Sequence, residues 1–195
     1  VSREVIHRAK NMLSLVTAMQ RQTASSAASL AEFNKSFGDR IQALARSTDL
    51  LVDGGWSSVD LAQLVRAQLD PFLHLQGKGV DVAGPTVALG PQALQLIGMA
   101  LHELATNSTK YGVMSGGGGD IRCHWSHTEQ GGLRFQWVET GITFDPSAKK
   151  ASGFGSKVLS VLAPAMVDGS ADTVTSEDAL TWTVTIPAAH LGKVT

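Results

Sequence analysis

The sequence predicts an α+β chain: an antiparallel helical hairpin followed by a two-layer α/β sandwich of helices on a mixed sheet. Three observations carry that expectation. Up to Asp53 the apolar residues recur at 3- and 4-residue steps, the period of a helix. From Trp56 onward, short alternating stretches lie between glycines and prolines, the texture of strands and tight turns. Helical patterns separate those stretches, the longest being "PQALQLIGMALHELATNSTK" at 91–110.

The first helix is marked by Val5, Ala9, Met12, Val16 and Met19, a coiled-coil type of seam. "TASSAAS" (23–29) interrupts it and ends in a capping box, Ser29-x-x-Glu32. A second helix follows, with Leu30, Phe33, Phe37, Ile41, Leu44, Thr48 and Leu51 in step. Two lone amphipathic helices cannot bury both faces. The hairpin is therefore expected to pair with a second copy, as a four-helix bundle, or with its own neighbouring domain. "DGG" (53–55) ends it, which gives expected domains of 1–54 and 55–195.

In the second part, "SSVDLAQLVRAQLDPFL" opens with serine N-cap candidates and reads as a helix to about Asp70. "GVDVAG" and "PTVALG" read as short strands before the 91–110 helix. "GGGGDIRCHWSHTEQGGLRFQWVETG" then gives two alternating strands joined by a Gly-Gly turn, with Phe135 and Trp137 sharing the core face of one of them. "ITFDPSAKKAS" reads as a loop and "GFGSKVLSVLAPAM" as a glycine-led helix. "ADTVTSEDALTWTVTIPA" reads as a closing hairpin.

Composition bounds the partners. A chain of 195 residues, 43% hydrophobic, can bury one good core plus a smaller element. A net charge of −1 gives no electrostatic case for nucleic acid or an anionic membrane. Cys123 stands alone, so no disulfide framework or thiolate cluster is expected, and a reducing cytoplasm fits. No apolar run approaches the roughly 20 residues that span a bilayer. Val1 falls inside a helical pattern, so the chain reads as a fragment of a longer protein whose upstream part is missing.

The chemistry concentrates on the 91–110 helix. At about 100° per residue, Glu103, Asn107 and Lys110 fall within one narrow polar stripe. Leu94, Ile97, Leu101 and Leu104 face the other way. "HELAT" is not a zinc-protease helix, because Thr106 replaces the second imidazole, and "GFGSK" is too short for a Walker A loop. Cys123, His124 and His127 do not make a metal set, since His124 and His127 point to opposite faces of an alternating strand. What remains is a nucleotide site. An Asn carbonyl suits Mg²⁺, a Lys suits phosphate, and the glycines of "GFGS" free backbone N–H groups at a helix start. Lys149 and Lys150 sit in the loop just before it. Singly, each of these is an ordinary solvated residue; in this order they point to a triphosphate.

These stretches carry a family resemblance over almost the whole chain. "HELATNSTKYG" resembles the N box of the Bergerat-fold (GHKL) ATPases, and "GFGS" their second glycine box. His102 together with "WVE" (137–139) resembles the HWE family of bacterial sensor histidine kinases, and "HRAKNMLSLV" (7–16) resembles that family's phosphoacceptor helix. The resemblance implies a dimerisation and histidine-phosphotransfer hairpin followed by a catalytic domain that uses ATP and Mg²⁺. His7 would accept the γ-phosphoryl group and pass it to an Asp of a response-regulator receiver domain. Asn107 would hold Mg²⁺, Lys110 would contact phosphate and Tyr111 would line the nucleotide pocket. Glu139 would read the adenine amino group, with Gly141 beside it. Gly153, Phe154, Gly155 and Ser156 would belong to the nucleotide-binding lid. Where the family continues toward Gly-Gly-Pro, this chain has Gly141-Ile142-Thr143.

The residues themselves agree on His7, which takes an outward position on the first helix; a neutral imidazole is abundant at pH 7. Arg8 follows it where many histidine kinases have an acid, so Glu103, on the stripe with Asn107, is the candidate general base. His102 is either a packed structural histidine or one that orients a phosphate or Glu139. Two alternatives stand beside the kinase. One is a phosphotransfer adaptor with a degenerate ATP site, against which Asn107 and the Gly153-Phe154-Gly155 loop argue. The other is a Bergerat-fold ATPase or protein-serine kinase.

Overall fold

The computed structural model describes residues 3–56, 58–73, 80–116, 118–142, 158–162 and 166–192. The chain packs as two compact units, Val1–Gln42 and Ala43–Thr195. The first is helical. Helices α1 (Arg3–Ser26) and α2 (Leu30–Asp53) each run 24 residues. The capping box forms between them. Ser29 Oγ accepts the Glu32 N–H at 3.1 Å, and Glu32 Oε2 accepts the Ala28 N–H at 2.8 Å. Within this unit Arg40 Nη1 donates to Thr23 Oγ1 at 3.1 Å, and the rings of Phe33 and Phe37 stack with centroids 5.5 Å apart.

Helix α2 crosses the division. Its later residues Ala43, Leu44, Ser47 and Leu51 are buried. Leu51 joins the apolar core of the second unit, and a buried amide adds to it: Gln68 Nε2 donates to the Ala43 carbonyl and to Ser47 Oγ, both at 2.9 Å. The packing division thus falls inside α2, ahead of the 53–55 glycine turn that punctuates the sequence. An apolar pattern alone does not announce it, because one of the joining groups is polar.

The second unit is a two-layer sandwich. Its sheet runs in the order β2 (Val80–Ala83), β4 (Asp120–His127), β5 (Leu133–Thr140), β7 (Ala179–Ile186), β6 (Ser170–Thr175). β2 is parallel to β4, and the other pairs are antiparallel. Helices α3 (Leu61–Leu73) and α4 (Pro91–Tyr111) form the other layer. One face of the sheet supplies the core, through alternate residues Ile121, Cys123 and Trp125, then Leu133, Phe135 and Trp137, then Trp182, Val184 and Ile186. Phe135 lies 6.2 Å from both Trp125 and Trp182, ring centre to ring centre. Each buried indole N–H finds an acceptor: Trp125 the Pro85 carbonyl, Trp182 the Leu159 carbonyl, and Trp137 a carboxylate oxygen of Glu139.

Two local expectations change. The helix after Trp56 starts at Leu61, and Asp60 caps it by accepting the Gln63 N–H at 3.1 Å. The residues before it, expected to be helical, instead make the short strand β1 (Val59–Asp60), paired with β3 (Ala88–Leu89) in a separate two-stranded ribbon. A β-branched Val59 with a partner strand at hand outweighs the serine cap signal. The loop 143–152 and the start of the glycine-led segment lie outside the described residues; Val158–Leu162 within it is a π-helical turn.

Gly98 of α4 shows how close the α2 contact is. A Cβ there would run into Ser47 Oγ and stand 3.3 Å from Gln68 Nε2. Gly98→Ala should therefore destabilise the protein by about 1–3 kcal/mol despite alanine's better helix propensity. Adding Ser47→Ala removes the obstructing oxygen and should restore most of that loss. Urea denaturation of the single and double variants checks it; a Gly98→Ala protein more stable than the parent would contradict this packing.

Candidate active site

Helix α4 starts at Pro91, whose missing N–H is harmless in a first turn. It is buried almost all round from Ala93 to Ala105, as a central helix must be. The polar stripe expected on it is therefore shorter than its spacing suggests. Glu103 is only 4% exposed and belongs to the buried part, while Asn107, Lys110 and Tyr111 are exposed at the last turn. His102 is also buried, its ring tilted against Phe72 of α3 at 5.8 Å, which is the packed arrangement.

The chain leaves α4 through Gly112 into a short 3-10 turn, Val113–Ser115. The start of that 3-10 turn leaves its first backbone N–H groups to be satisfied. Ser108 and Glu139 satisfy them. The Ser108 carbonyl accepts the Gly112 N–H at 3.0 Å, and Ser108 Oγ accepts the Met114 N–H at 3.1 Å. Ser108 Oγ in turn donates to Glu139 Oε2 at 2.8 Å, and that oxygen also accepts the Val113 N–H at 3.1 Å. Glu139 Oε1 accepts the Trp137 indole N–H at 2.9 Å. A carboxylate 3% exposed, on the core face of β5 opposite Ile121 and Leu180, thus ties the helix exit to the middle of the sheet.

Glycines let three segments meet beside it. Gly141 (φ +77°) follows β5, and a Cβ there would stand 2.9 Å from Gly119 Cα and 3.1 Å from the Gly118 carbonyl. Gly119 (φ +135°) would bring a Cβ into the Thr140 carbonyl and within 3.1 Å of Val113 Cγ2. Ile142, which stands where the resembled family has glycine, is buried, and its N–H donates to the Asp178 carbonyl at 3.0 Å. Cys123 lies beneath, across from Trp137. Burial, then Asp81 and Glu139, push its thiol well above the usual range, so it offers no nucleophile.

The structure therefore brings Asn107, Lys110 and Tyr111 to one exposed turn, with Glu139 bonded to that turn's exit and Gly141 two residues beyond Glu139. The side chain of His7 lies outside the described side chains, though its backbone is part of α1; Lys149, Lys150, Gly153, Phe154, Gly155 and Ser156 lie outside the described residues. Sequence reading missed Ser108 and the Trp137–Glu139 bond. The signal for the second was present: positions i and i+2 of a strand share a face.

Comparison with known proteins points to one family. The HWE histidine kinase family matches residues 4–86. The blue-light-activated histidine kinase of Rhizobium johnstonii is 30% identical over 187 residues, covering 95% of this chain and 52% of that protein. The chain is similar to the HWE histidine kinase family. A second such kinase, from Brucella anthropi, is 30% identical over 164 residues, covering 82% of this chain and 33% of the relative. The chain thus spans about a third of one of these relatives and about half of the other.

Among solved structures, the histidine kinase domain of the blue-light activated histidine kinase of Erythrobacter litoralis superposes with a TM-score of 0.68 at 20% identity, covering 95% of this chain and 92% of that one. Full-length ShkA in complex with AMPPNP gives a TM-score of 0.52 at 17% identity, covering 98% of this chain and 45% of that one. Both share the fold. In this chain Trp137 and Glu139, from the stretch that resembles the family's second motif, form one hydrogen-bonded pair.

The Gly141–Gly119 contact is testable against an internal control. Gly131 has nearly the same φ, +75°, yet a Cβ there would meet nothing closer than Ala188 Cβ at 4.0 Å. Gly131→Ala should cost only the left-handed conformation, about 1 kcal/mol, whereas Gly141→Ala should cost about 2–4 kcal/mol. Chemical denaturation measures both; equal losses would show that the glycine contact is not tight.

Proposed function

We propose that this chain is the kinase core of a two-component sensor histidine kinase, which transfers the γ-phosphoryl group of ATP to His7. The observation that carries the reading is the exposed turn of α4 bearing Asn107, Lys110 and Tyr111, in a chain similar to this family. The relatives' name, histidine kinase, and the AMPPNP complex of ShkA support it. Phosphoryl transfer relies on positioning and charge neutralisation more than on protein nucleophiles, which suits a site of one amide, one amine and backbone N–H groups.

Mg²⁺ is held through one or two protein oxygens plus phosphate and water, and the exposed Asn107 amide offers an oxygen of that kind. When bound, the ion neutralises charge on the phosphates. Lys110 supplies a second positive charge, and Tyr111, 73% exposed, supplies a flat surface at the pocket's edge. Gly153, Phe154, Gly155 and Ser156 would close over the phosphates. At His7 a ring nitrogen's lone pair forms the P–N bond as the bond to the ADP oxygen breaks, and the proton on the other ring nitrogen then leaves. We assign Glu103 as the candidate acceptor of that proton, although its burial means it would have to act from inside the helix layer. The phosphoryl group would pass to an Asp of a response-regulator receiver domain. A homodimer through the α1–α2 helices, an upstream sensor segment and a cytoplasmic setting complete the proposal; among the described residues no helix is long and apolar enough to cross a membrane.

Two substitutions test the reading. His7→Ala should abolish autophosphorylation while ATP affinity stays within about twofold, the acceptor lying outside the nucleotide pocket. Labelling that persists in the variant would remove His7 from its role. Asn107→Asp keeps an oxygen but adds negative charge beside the triphosphate, so turnover should fall at least about tenfold, or roughly 1.4 kcal/mol. Unchanged turnover at saturating Mg²⁺ would take Asn107 out of the metal site.

A further inference from the structure

The carboxylate of Glu139 does a job that reading adenine does not require. Among the described residues its hydrogen-bond partners are the Ser108 hydroxyl, the Val113 N–H and the Trp137 indole N–H, all neutral donors. An acceptor-only carboxylate satisfies all of them at once, whereas an amide of the same length must turn its NH₂ toward a donor. A carboxylate has about four acceptor directions, so three are committed inside the protein. Gly112, between the helix and this network, has no space for a side chain: a Cβ would run into Glu139 Oε2 and stand 2.9 Å from Ser108 Cα.

We infer that Glu139 is a positioning residue that, through Ser108, holds the exit of α4 and with it the turn bearing Asn107, Lys110 and Tyr111, independently of which base is bound. The inference rests on the nucleotide-site reading above. Without the clamp the turn occupies its binding arrangement for only part of the time, and apparent affinity falls by that fraction. Because the loss comes before any contact with the base, ATP and GTP suffer equally. Saturating nucleotide then restores the turn, so KM rises while kcat changes little. Trp137 connects the same carboxylate to the aromatic core, so the helix exit and the sheet move together.

The experiment compares the full chain with Glu139→Gln and with the milder Ser108→Ala, which removes one hydroxyl and keeps the carboxylate. Three quantities are read: dissociation constants for ATP and GTP, KM and kcat for autophosphorylation, and amide hydrogen exchange at Val113 and Met114. Both variants should raise the ATP and GTP dissociation constants by the same factor, about fivefold or more. They should raise KM in step, leave kcat within about twofold, and speed exchange at Val113 and Met114 more than in the centre of β5. The double variant should be little worse than the weaker single one, since both act on one network. A Glu139→Gln protein whose ATP-to-GTP preference shifts would overturn the inference in favour of base reading, and lower stability with unchanged KM would overturn it in favour of a structural role alone. If the parent chain binds neither nucleotide, the kinase reading fails separately. The clamp is then judged by hydrogen exchange, and unchanged protection at Val113 and Met114 overturns it.

Discussion

The hydrogen bonds to Glu139 join the end of α4 to the middle of an otherwise apolar sheet face, and the exposed turn depends on them. The 3-10 turn that starts beside the core at Val113 has N–H groups with no partner of its own, and leaving them buried unpaired costs about 1–3 kcal/mol each. Water could meet them only by opening the core. Here one hydroxyl and one carboxylate take the N–H groups of Met114 and Val113, and the indole of Trp137 takes the remaining carboxylate oxygen. The same crowding excludes a side chain at Gly112 and Gly119, so the exit, the entry to β4 and the end of β5 close on one another. The turn that carries Asn107, Lys110 and Tyr111 is thus hydrogen-bonded at its base and open to solvent at its side chains.

Much of this architecture was legible because hydrophobic periods report directly on burial. The alternation in β5 placed Phe135 and Trp137 on the core face, and the Ser29–Glu32 box located the start of α2. The failures share a cause. Glu103 looked solvated because it lies at helical spacing from Asn107, yet α4 is covered on every side along most of its length, and spacing alone does not count the neighbours. Gln68 and Ser47 decide where α2 changes allegiance, and buried polar residues leave no mark in an apolar pattern. Ser108 was passed over for the same reason: a serine inside a helix looks neutral until its hydroxyl is seen to serve a backbone N–H beyond the helix end.

The family likeness and the site geometry answer different questions. Motif order and relatedness say what kind of chain this is, and fold likeness at 20% identity or below says only how it is built. The geometry adds why the Trp and Glu of the second motif occur two residues apart on a strand: they meet on one face as donor and acceptor. The Gln68 bonds that carry the later part of α2 with the second unit give that unit a helical arm of its own.

The central claim is that the phosphoryl group ends on a histidine, and the chemistry of the product tests it most directly. A P–N bond to imidazole hydrolyses in acid and survives alkali, whereas a phosphate ester of serine behaves in the opposite way. The chain, incubated with γ-labelled ATP and Mg²⁺ and then divided between acid and alkali, should lose its label in acid and keep it in alkali. Label that survives acid and is stripped by alkali would contradict the account and turn the chain into a kinase of another kind.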